Sequence, residues 1–325
     1  MALPTLDELE AARRLIAAAG LHRTPLWRSS SLSERSGAET WLKLELFQKT
    51  GSFKPRGVLV RLAALTAEER ARGVIAVSAG NHAQALGWAA GAAGVPATIV
   101  TWETAPEVKL AAARAYGAET IREGATPLDA FAAMERIRAE RGLVLVHPYD
   151  DLLVATGQGT LGLELADDLP DAATVVVPVG GGGLLLGVAA ALRARGSTAR
   201  VVGVEPVGAP SVSRGLAAGA PVPLRSVSTI ADGLSAPIVG DLQLEHLPGL
   251  ADEIVLVEDD ELREAMRVLA SRVKIVAEPA GAAAVAALLA GRVAPGPGPV
   301  IAIVTGGNLD PRLLGEVLAQ PPAEV

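Results

Sequence analysis

The chain of 325 residues contains no cysteine, which excludes disulfide bonds, thiolate metal sites and cysteine nucleophiles. Aromatic residues make up only 3% of it, too few for a surface on which nucleic-acid bases stack. The net charge of -7 argues against nucleic acid or an anionic membrane as the main partner. The histidines are widely scattered, so we expect no zinc site; they are His22, His82, His147 and His246.

Features of membrane and secretion segments are also missing. The first residues include acidic ones where a secretion signal needs a basic region. One uncharged run, residues 172–192, holds Pro178 and five glycines, four of them consecutive. Such a run predicts a buried strand, a glycine turn and a helix rather than one continuous membrane helix. We therefore expect no membrane partner and a soluble, cytoplasmic protein.

The chain is rich in short β-branched apolar runs that alternate with longer segments of Ala, Leu and Arg. The runs are apolar throughout, as in parallel strands that are covered on both faces. Thr5 before Glu8, and Thr126-Pro127 before Asp129, predict helix starts. The pattern predicts an α/β fold with open, doubly wound sheets. The predicted strands lie at 73–79, 96–102, 143–147, 173–180, 199–206 and 299–307.

A first candidate for chemistry is GSFKPRG at residues 51–57. Only five lysines occur in the chain, against 24 arginines. Lys54 precedes a proline, which favours extended backbone at the lysine and suits the first turn of a following helix. The lysine would project from a strand-to-helix loop, where α/β folds place their ligands. Taken alone, a single lysine is more often a solvated surface charge.

A second candidate is VSAGNHAQALG at residues 77–87. A strand ends there, Gly80 permits a tight turn, and Ser78, Asn81 and His82 offer donors at the start of a helix. A helix N-terminus binds anions, of which a carboxylate is a natural small one. The simpler interpretation is ordinary capping of that helix by Ser78 or Asn81.

A third candidate is the run Gly180 to Gly183, between an apolar strand and an apolar helix. Four glycines allow backbone N–H groups to converge on a phosphate at the helix N-terminus. The G-x-G-x-x-G spacing of nicotinamide dinucleotide sites fails, because positions 184–186 are leucine. A nicotinamide oxidoreductase is therefore excluded, and a purely structural glycine turn remains the alternative.

Two weaker segments complete the set. TGGN at 305–308 places the Thr305 hydroxyl at the end of the last predicted strand, and Glu278-Pro279 opens an Ala-rich helix. A loop lysine, an anion site, a glycine cup and a strand-end hydroxyl together describe a pyridoxal-phosphate site for an amino acid. The lysine takes the aldehyde, the glycines hold the phosphate, and the anion site takes the substrate carboxylate.

The motifs also resemble those of a known family in the family's order over nearly the whole chain. The chain resembles the serine/threonine dehydratases of the fold-type-II pyridoxal-phosphate enzymes, in a subgroup similar to serine racemases. The resemblance implies a tryptophan-synthase-β-like fold, with a large domain of 1–69 and 147–325 and a small mobile domain of 70–146. The motifs are SFKPRG, SAGNHAQALG, HPYDD (147–151), GQGT (157–160), PVGGGGLL, TIADGL (229–234), EPAGA and TGGN.

Residue roles are implied by the same resemblance. Lys54 is the Schiff-base lysine and moves the α-proton, and Ser78, Ala79, Asn81 and His82 face the substrate. A hydroxyl beside the pyridine nitrogen makes the ring a weaker electron sink, which favours loss of a β-leaving group. The cofactor-binding residues are Phe53, Lys54, Asn81, Gly180, Gly181, Gly182, Gly183, Leu184, Gly233, Glu278 and Thr305.

The implied activity is dehydration and deamination of L-threonine, L-serine or both, to 2-oxobutyrate or pyruvate plus ammonia. Dehydratases of hydroxyaspartate or of the hydroxyectoine pathway share the motifs and stay open. Pro55-Arg56-Gly57 differs from the cysteine-synthase pattern. A serine racemase needs a serine where this chain has Ala79, so we expect little racemisation. A non-catalytic amino-acid-binding module is the alternative from another class.

Further expectations concern metals, regulation and assembly. Glu205 matches the glutamate of a divalent-cation site in some relatives, but Ser211 stands where an aspartate is expected. One carboxylate rarely holds such a cation tightly, so we expect no metal. We expect no feedback by isoleucine, because no appended regulatory segment follows the motifs. A homodimer or homotetramer is implied by the resemblance.

Overall fold

The computed structural model of the chain describes residues 2–105, 107–294 and 296–320. Strands and helices alternate along most of it, as the sequence predicts. The strands are β1 (Leu26–Arg28), β2 (Thr40–Leu44), β3 (Val74–Val77), β4 (Ala97–Thr101), β5 (Glu119–Arg122), β6 (Val144–Leu145), β7 (Thr174–Pro178), β8 (Arg200–Pro206), β9 (Glu253–Val257) and β10 (Val300–Val304).

The helices pack on the faces of the sheets. They are α1 (Leu6–Ala18), α2 (Ser30–Ser36), α3 (Pro55–Ala63), α4 (Ala67–Arg72), α5 (Asn81–Ala93), α6 (Glu107–Ala115), α7 (Pro127–Arg141), α8 (Leu152–Asp168), α9 (Gly183–Ala194), α10 (Ser211–Ala218), α11 (Asp241–His246), α12 (Asp259–Val268), α13 (Pro279–Leu289) and α14 (Pro311–Leu318). Short 3₁₀ turns lie at Glu45–Phe47, Lys49–Gly51, Asp232–Leu234 and Leu247–Gly249, and a π-helical turn at Leu269–Val273.

Two separate sheets organise the chain. The larger has the strand order β1-β2-β10-β7-β8-β9, and the smaller has the order β5-β4-β3-β6. All neighbours pair in parallel except β1, which lies antiparallel to β2 at one edge. The smaller sheet takes all of its strands from residues 74–145.

Both faces of the larger sheet are covered, which explains its continuously apolar strands. On one face α13 and α12 form a core with Val176, Val202 and Val304. On the other face α9 packs against Val175, Val177 and neighbouring strand residues. The two-sided burial is that of a doubly wound sheet, as predicted.

All six predicted strands are confirmed, and so are the predicted helix starts. Thr5 and Thr126 each cap a helix in a reciprocal capping box with Glu8 and Asp129. Residues 172–192 form strand β7, a turn and helix α9. The turn passes through Gly182 at φ +88°, a left-handed conformation that favours glycine. Among the described residues, no helix has the length and apolarity needed to cross a bilayer.

The fold brings together the carboxyl ends of three strands. β3 ends at Val77, β7 at Pro178 and β10 at Val304, and the segments that follow them line one cavity. In open α/β sheets this is the edge at which ligands bind.

Candidate active site

A cavity of about 430 Å³ lies between the two sheets. It is large enough for a cofactor with a small substrate. Every residue that the sequence assigned to the site lines this cavity, although the assigned roles stay predictions. These residues are Phe53, Lys54, Ser78, Ala79, Asn81, His82, Gly180, Gly181, Gly182, Gly183, Leu184, Gly233, Glu278 and Thr305.

Lys54 stands immediately before helix α3, whose first residue is Pro55. Its amine donates a hydrogen bond to the carbonyl oxygen of Pro148 at 3.0 Å and lies 5.1 Å from the centre of the Phe53 ring. Burial lowers the pKa of Lys54 to about 8, and the negative charge of Glu278 opposes that shift. A larger fraction of unprotonated amine is therefore available near neutral pH than in an ordinary lysine.

A labelling experiment on the cofactor-free protein tests this pKa. We expect the rate of Lys54 acylation to rise with pH around a midpoint near 8, rather than near the ordinary 10.5, because only the unprotonated amine reacts. Glu278→Gln removes the charge that holds the pKa up, so it should move the midpoint lower still. Peptide mass spectrometry after labelling over a pH series measures both. A wild-type midpoint above 10 would contradict the assignment.

The run Gly180 to Gly183 forms a turn between β7 and the N-terminus of α9. A Cβ at Gly181 would lie 2.2 Å from the Tyr149 ring, and one at Gly183 would lie 2.9 Å from the Tyr149 Cα. The backbone therefore packs directly on Tyr149, whose hydroxyl donates to the carbonyl oxygen of Ile238 at 2.8 Å. The turn lines the cavity at the N-terminus of α9, and a glycine turn at a helix N-terminus suits a phosphate.

The segment after β3 supplies a second helix N-terminus, that of α5. The Ser78 hydroxyl accepts hydrogen bonds from the N–H of Gly80 at 3.1 Å and of Ala83 at 3.3 Å. Ser78 thus caps this helix, as the simpler interpretation predicts, while lining the cavity. The N–H groups of Asn81 and His82 in the first turn have no intrahelical acceptor, so this end suits a carboxylate.

Asn81 is fixed by two neighbours from distant segments. Its amide nitrogen donates to the Glu278 carboxylate at 2.6 Å, and its amide oxygen accepts from Asn308 at 2.8 Å. Asn308 also donates to the carbonyl oxygen of Thr50 at 2.7 Å. Because the Asn81 amide carries two N–H donors, the second one remains for a ligand oxygen.

The His82 side chain is buried in the wall of the cavity, with 3% of its surface exposed. Its Nε2 lies 2.8 Å from the carbonyl oxygen of Val146. A carbonyl oxygen only accepts, so the proton is on Nε2 and Nδ1 has a free electron pair. Burial, with the nearby charge of Lys54, lowers the pKa of His82 to about 3. The ring is therefore neutral at physiological pH.

Thr305 follows β10 and is 3% exposed. Its hydroxyl makes only a long contact, 3.4 Å, with the carbonyl oxygen of Ala280, and its own carbonyl oxygen accepts from the Phe53 N–H at 3.1 Å. Next to it, a Cβ at Gly306 would lie 2.2 Å from a Glu278 oxygen. Gly306 therefore lets the Glu278 carboxylate approach the end of β10.

Several residues of the wall were not assigned from the sequence. Tyr149 supports the glycine turn, and Asn308 orients Asn81. Gln158, on α8, is buried in the wall, with neither atom of its amide hydrogen-bonded. Gln158 and Asn308 belong to the motifs GQGT and TGGN, which were identified from the sequence. The sequence did not show which residues these two side chains contact. The outer part of the cavity is lined by Trp102, Pro127, Leu128, Phe131 and Ser235 to Ile238.

Glu205 lies outside the cavity and is fully buried. Its oxygens accept hydrogen bonds from the N–H groups of Val212 and Ser213 and from the Ser213 hydroxyl. Burial raises the pKa of Glu205. The carboxylate is thus used to hold the start of α10, and the expectation that no cation binds there stays a prediction.

The features of the cavity fit one kind of cofactor. An amine with a lowered pKa suits a carbonyl group, and a glycine turn at the N-terminus of α9 suits a phosphate. The Phe53 ring suits contact with an aromatic ring. The Thr305 hydroxyl, which makes only a long hydrogen bond to Ala280, suits a ring nitrogen. The fold and the site therefore define an enzyme that uses a phosphorylated aromatic aldehyde, which is pyridoxal phosphate.

The comparisons with known proteins agree. Residues 18–306 match the family model described as "Pyridoxal-phosphate dependent enzyme", and the chain belongs to that family. An L-threonine ammonia-lyase of Thermotoga maritima is 43% identical over 97% of this chain and 78% of that protein.

Two solved structures show the same fold. A maize serine racemase matches with a TM-score of 0.92 and 35% identity, over 98% of each chain. The processed form of threonine deaminase isoform 2 from Solanum lycopersicum matches with a TM-score of 0.88 and 33% identity, over 98% of this chain and 89% of that one. The fold-type-II architecture is thereby confirmed.

Proposed function

We propose that this protein is an L-threonine ammonia-lyase, which converts L-threonine to 2-oxobutyrate and ammonia and accepts L-serine to give pyruvate. The observation that carries the proposal is the presence of the Lys54 amine, a glycine cradle and a carboxylate-binding helix end in one cavity. The 43% identity to an L-threonine ammonia-lyase supports it. Release of 2-oxobutyrate from L-threonine by protein supplied with pyridoxal phosphate tests it, and no release would overturn it.

The residues of the wall have distinct tasks toward the cofactor, which, when bound, withdraws electrons from the α-carbon of an attached amino acid. The N–H groups of Gly180 to Gly183 and Leu184 would hold the phosphate, and the Thr305 hydroxyl would bond the ring nitrogen. Phe53, Glu278 and Gly233 would support the ring. Asn81 would give its second N–H to the ring hydroxyl.

The chain positions the substrate from the other side. The first turn of α5, with Ser78, Asn81 and His82, binds the carboxylate through N–H groups and the helix dipole. The amine of Lys54 takes the proton from the α-carbon, for which a pKa lowered to about 8 is well matched. Trp102, Leu128 and Phe131 give the cavity an apolar lining, which would limit water around a bound substrate.

The charges of the wall favour a substrate with one carboxylate. Among the described residues that line the cavity, Lys54 is the only Lys or Arg, whereas Asp232 and Glu278 are acidic. A second carboxylate, as in hydroxyaspartate, would meet no arginine and two like charges. We expect keto-acid release to be at least about tenfold faster from threonine than from hydroxyaspartate, equivalent to about 1.4 kcal/mol. A panel of β-hydroxy amino acids measures this ranking.

Racemisation needs an acid or base on the face of the substrate opposite Lys54. Ala79, which lines the cavity and is 8% exposed, has no proton to transfer. We therefore expect little D-serine from L-serine in wild-type protein, and more in Ala79→Ser. Chiral chromatography detects both, with keto-acid release as the internal measure of intact sites. Rapid D-serine formation by the wild type would contradict the assignment.

We also propose the arrangement of domains and chains. Residues 70–146 form a small mobile domain that closes over the substrate, against a large domain of 1–69 and 147–325. The position of the cavity between the two sheets supports this division. We propose a cytoplasmic homodimer or homotetramer, to be tested by sedimentation of the cofactor-loaded protein.

A further inference from the structure

The inner wall of the cavity holds polar atoms that the residue roles above do not use. Gln158 is 1% exposed, and both its amide oxygen and its amide nitrogen lack a hydrogen-bond partner. The Nδ1 of His82 is buried without a partner as well. A buried polar atom without a partner destabilises the fold relative to a hydrogen-bonded one. Native proteins rarely keep unpaired polar atoms of this kind, and each calls for an explanation.

Gln158 lies against the helical turn that Lys54 begins. A Cβ at Gly57 would lie 2.5 Å from the Gln158 amide nitrogen, so glycine at this position makes room for the amide. Gly57 is three residues after Lys54, whose backbone is already helical, so the two residues are about one helical turn apart. The Gln158 amide is therefore packed under the part of the wall from which the lysine projects.

His82 lines the same cavity from the first turn of α5. Its Nε2 is committed to the carbonyl oxygen of Val146, so its Nδ1 can only accept a hydrogen bond. His82 and Lys54 line the same cavity, and the charge of Lys54 contributes to the lowered pKa of His82. The wall thus contains a neutral ring nitrogen that suits a cationic donor.

The cavity wall offers three acceptors, Pro148 O, Gln158 Oε1 and His82 Nδ1, and a protonated lysine has three N–H donors. In this structure one donor is given to the Pro148 carbonyl oxygen at 3.0 Å. We propose that Gln158 Oε1 and His82 Nδ1 accept the other two when Lys54 carries the substrate proton. Both are positioning residues: they hold the lysine amine where it gains and returns that proton. The inference rests on the proposed function.

Two pairs of variants test the proposal. Gln158→Met keeps the size of the side chain and removes the acceptor. His82→Gln can still donate to Val146 but loses the Nδ1 acceptor, whereas His82→Asn keeps an acceptor close to the Nδ1 position and loses the Val146 bond. Thr174→Val is the matched control, since the Thr174 hydroxyl is also buried and unpartnered but lies outside the cavity wall.

We expect Gln158→Met and His82→Gln to lower kcat for threonine by about ten- to a hundredfold, the usual effect of one hydrogen bond to a charged group. His82→Asn should retain more activity than His82→Gln. The kcat ratio between ordinary and α-deuterated threonine should rise in the slow variants, because proton transfer becomes the slow step. The melting temperature of cofactor-free Gln158→Met should equal or exceed that of wild type, as for Thr174→Val, whose kcat should not change.

The opposite results are equally definite. The proposal is overturned if Gln158→Met and His82→Gln keep the wild-type kcat. It is also overturned if these variants are slow but show an unchanged isotope ratio. In both cases threonine turnover by the wild type still supports the proposed function. If Gln158→Met does not fold, equal activity of the two His82 variants overturns it. A wild type without threonine turnover overturns the proposed function and this inference with it.

Discussion

Lys54→Ala is expected to abolish the release of 2-oxobutyrate from threonine, with a loss of more than about a thousandfold. The variant removes the amine that is bonded to Pro148 in the cavity wall and leaves no other lysine in the lining among the described residues. It also removes the covalent attachment of the cofactor. Absorbance at the edge of the visible range, which requires that bond, should disappear together with turnover.

Borohydride reduction followed by mass spectrometry locates the bond directly. In wild-type protein supplied with pyridoxal phosphate, the adduct should be on the peptide that contains Lys54 and absent from the alanine variant. Lys49→Ala is the matched control, because Lys49 is close in sequence but does not line the cavity. Turnover in Lys54→Ala, or an adduct on another lysine, would refute the assignment. A wild type that forms no adduct would favour a non-catalytic binding module.

The parts of the site that were predictable are those with a local signal. Gly180 to Gly183 come between an apolar strand and an apolar helix, so both the turn and its place at a helix N-terminus could be read from consecutive residues. Lys54 before Pro55 likewise predicts the start of α3, which the structure confirms. The extended backbone expected at Lys54 is wrong: its φ of -53° and ψ of -37° are helical, because its carbonyl oxygen accepts a hydrogen bond from the Val58 N–H in the first turn. The fold class followed from six apolar runs, because parallel strands that are buried on both faces carry no polar alternation.

Four strands, β1, β2, β5 and β9, are missing from the predicted set, and three of them show different reasons. β5 is partly exposed and reads ETIR, a pattern too polar to stand out. β1 is three residues long and joins the sheet edge antiparallel, through pairing that composition does not encode. β9 reads EIVLV and has the composition of the predicted strands, so this signal was present and was missed.

The contacts that shape the site were not predictable, because they join distant segments. Tyr149 and Gly181 are packed together although the sequence gives no sign that a ring lies under that glycine. Asn308 orients Asn81 across 227 positions. Gln158 is one of several polar residues in α8, and its lack of partners becomes visible only when α3, α5 and α8 are in place.

Arg56 is the clearest example of a residue whose surroundings the sequence does not reveal, because a lone arginine in a sequence is usually a solvated charge. Here it is fully buried, two residues after Lys54. Its guanidinium binds Glu45 twice at 2.8 Å and Glu164 at 2.7 and 3.1 Å. Lys43, also fully buried, binds Glu164 at 2.7 Å. The network ties α3, and with it Lys54, to β2 and α8.

Arg56→Met is therefore expected to lower the free energy of unfolding by about 3–5 kcal/mol, the usual cost of leaving a buried charge without its partner. The arginine now lowers the pKa of Glu45; without it, burial raises that pKa. Protonation then relieves the unpaired charge, so the loss should be smaller at pH 5 than at pH 8. Urea unfolding at both pH values measures this.

Two further variants separate charge from packing. Adding Glu45→Gln to Arg56→Met removes the carboxylate left without its arginine and should restore part of the lost stability, with a smaller pH dependence. Arg136→Met breaks ion pairs with Glu123 and Glu140 at an exposed site and should barely move the urea midpoint, because water already screens such pairs. If Arg56→Met behaved like Arg136→Met, the buried network would not be what anchors α3. The position of Lys54 would then have to depend on the apolar contacts of that helix, such as those of Val58 and Leu62.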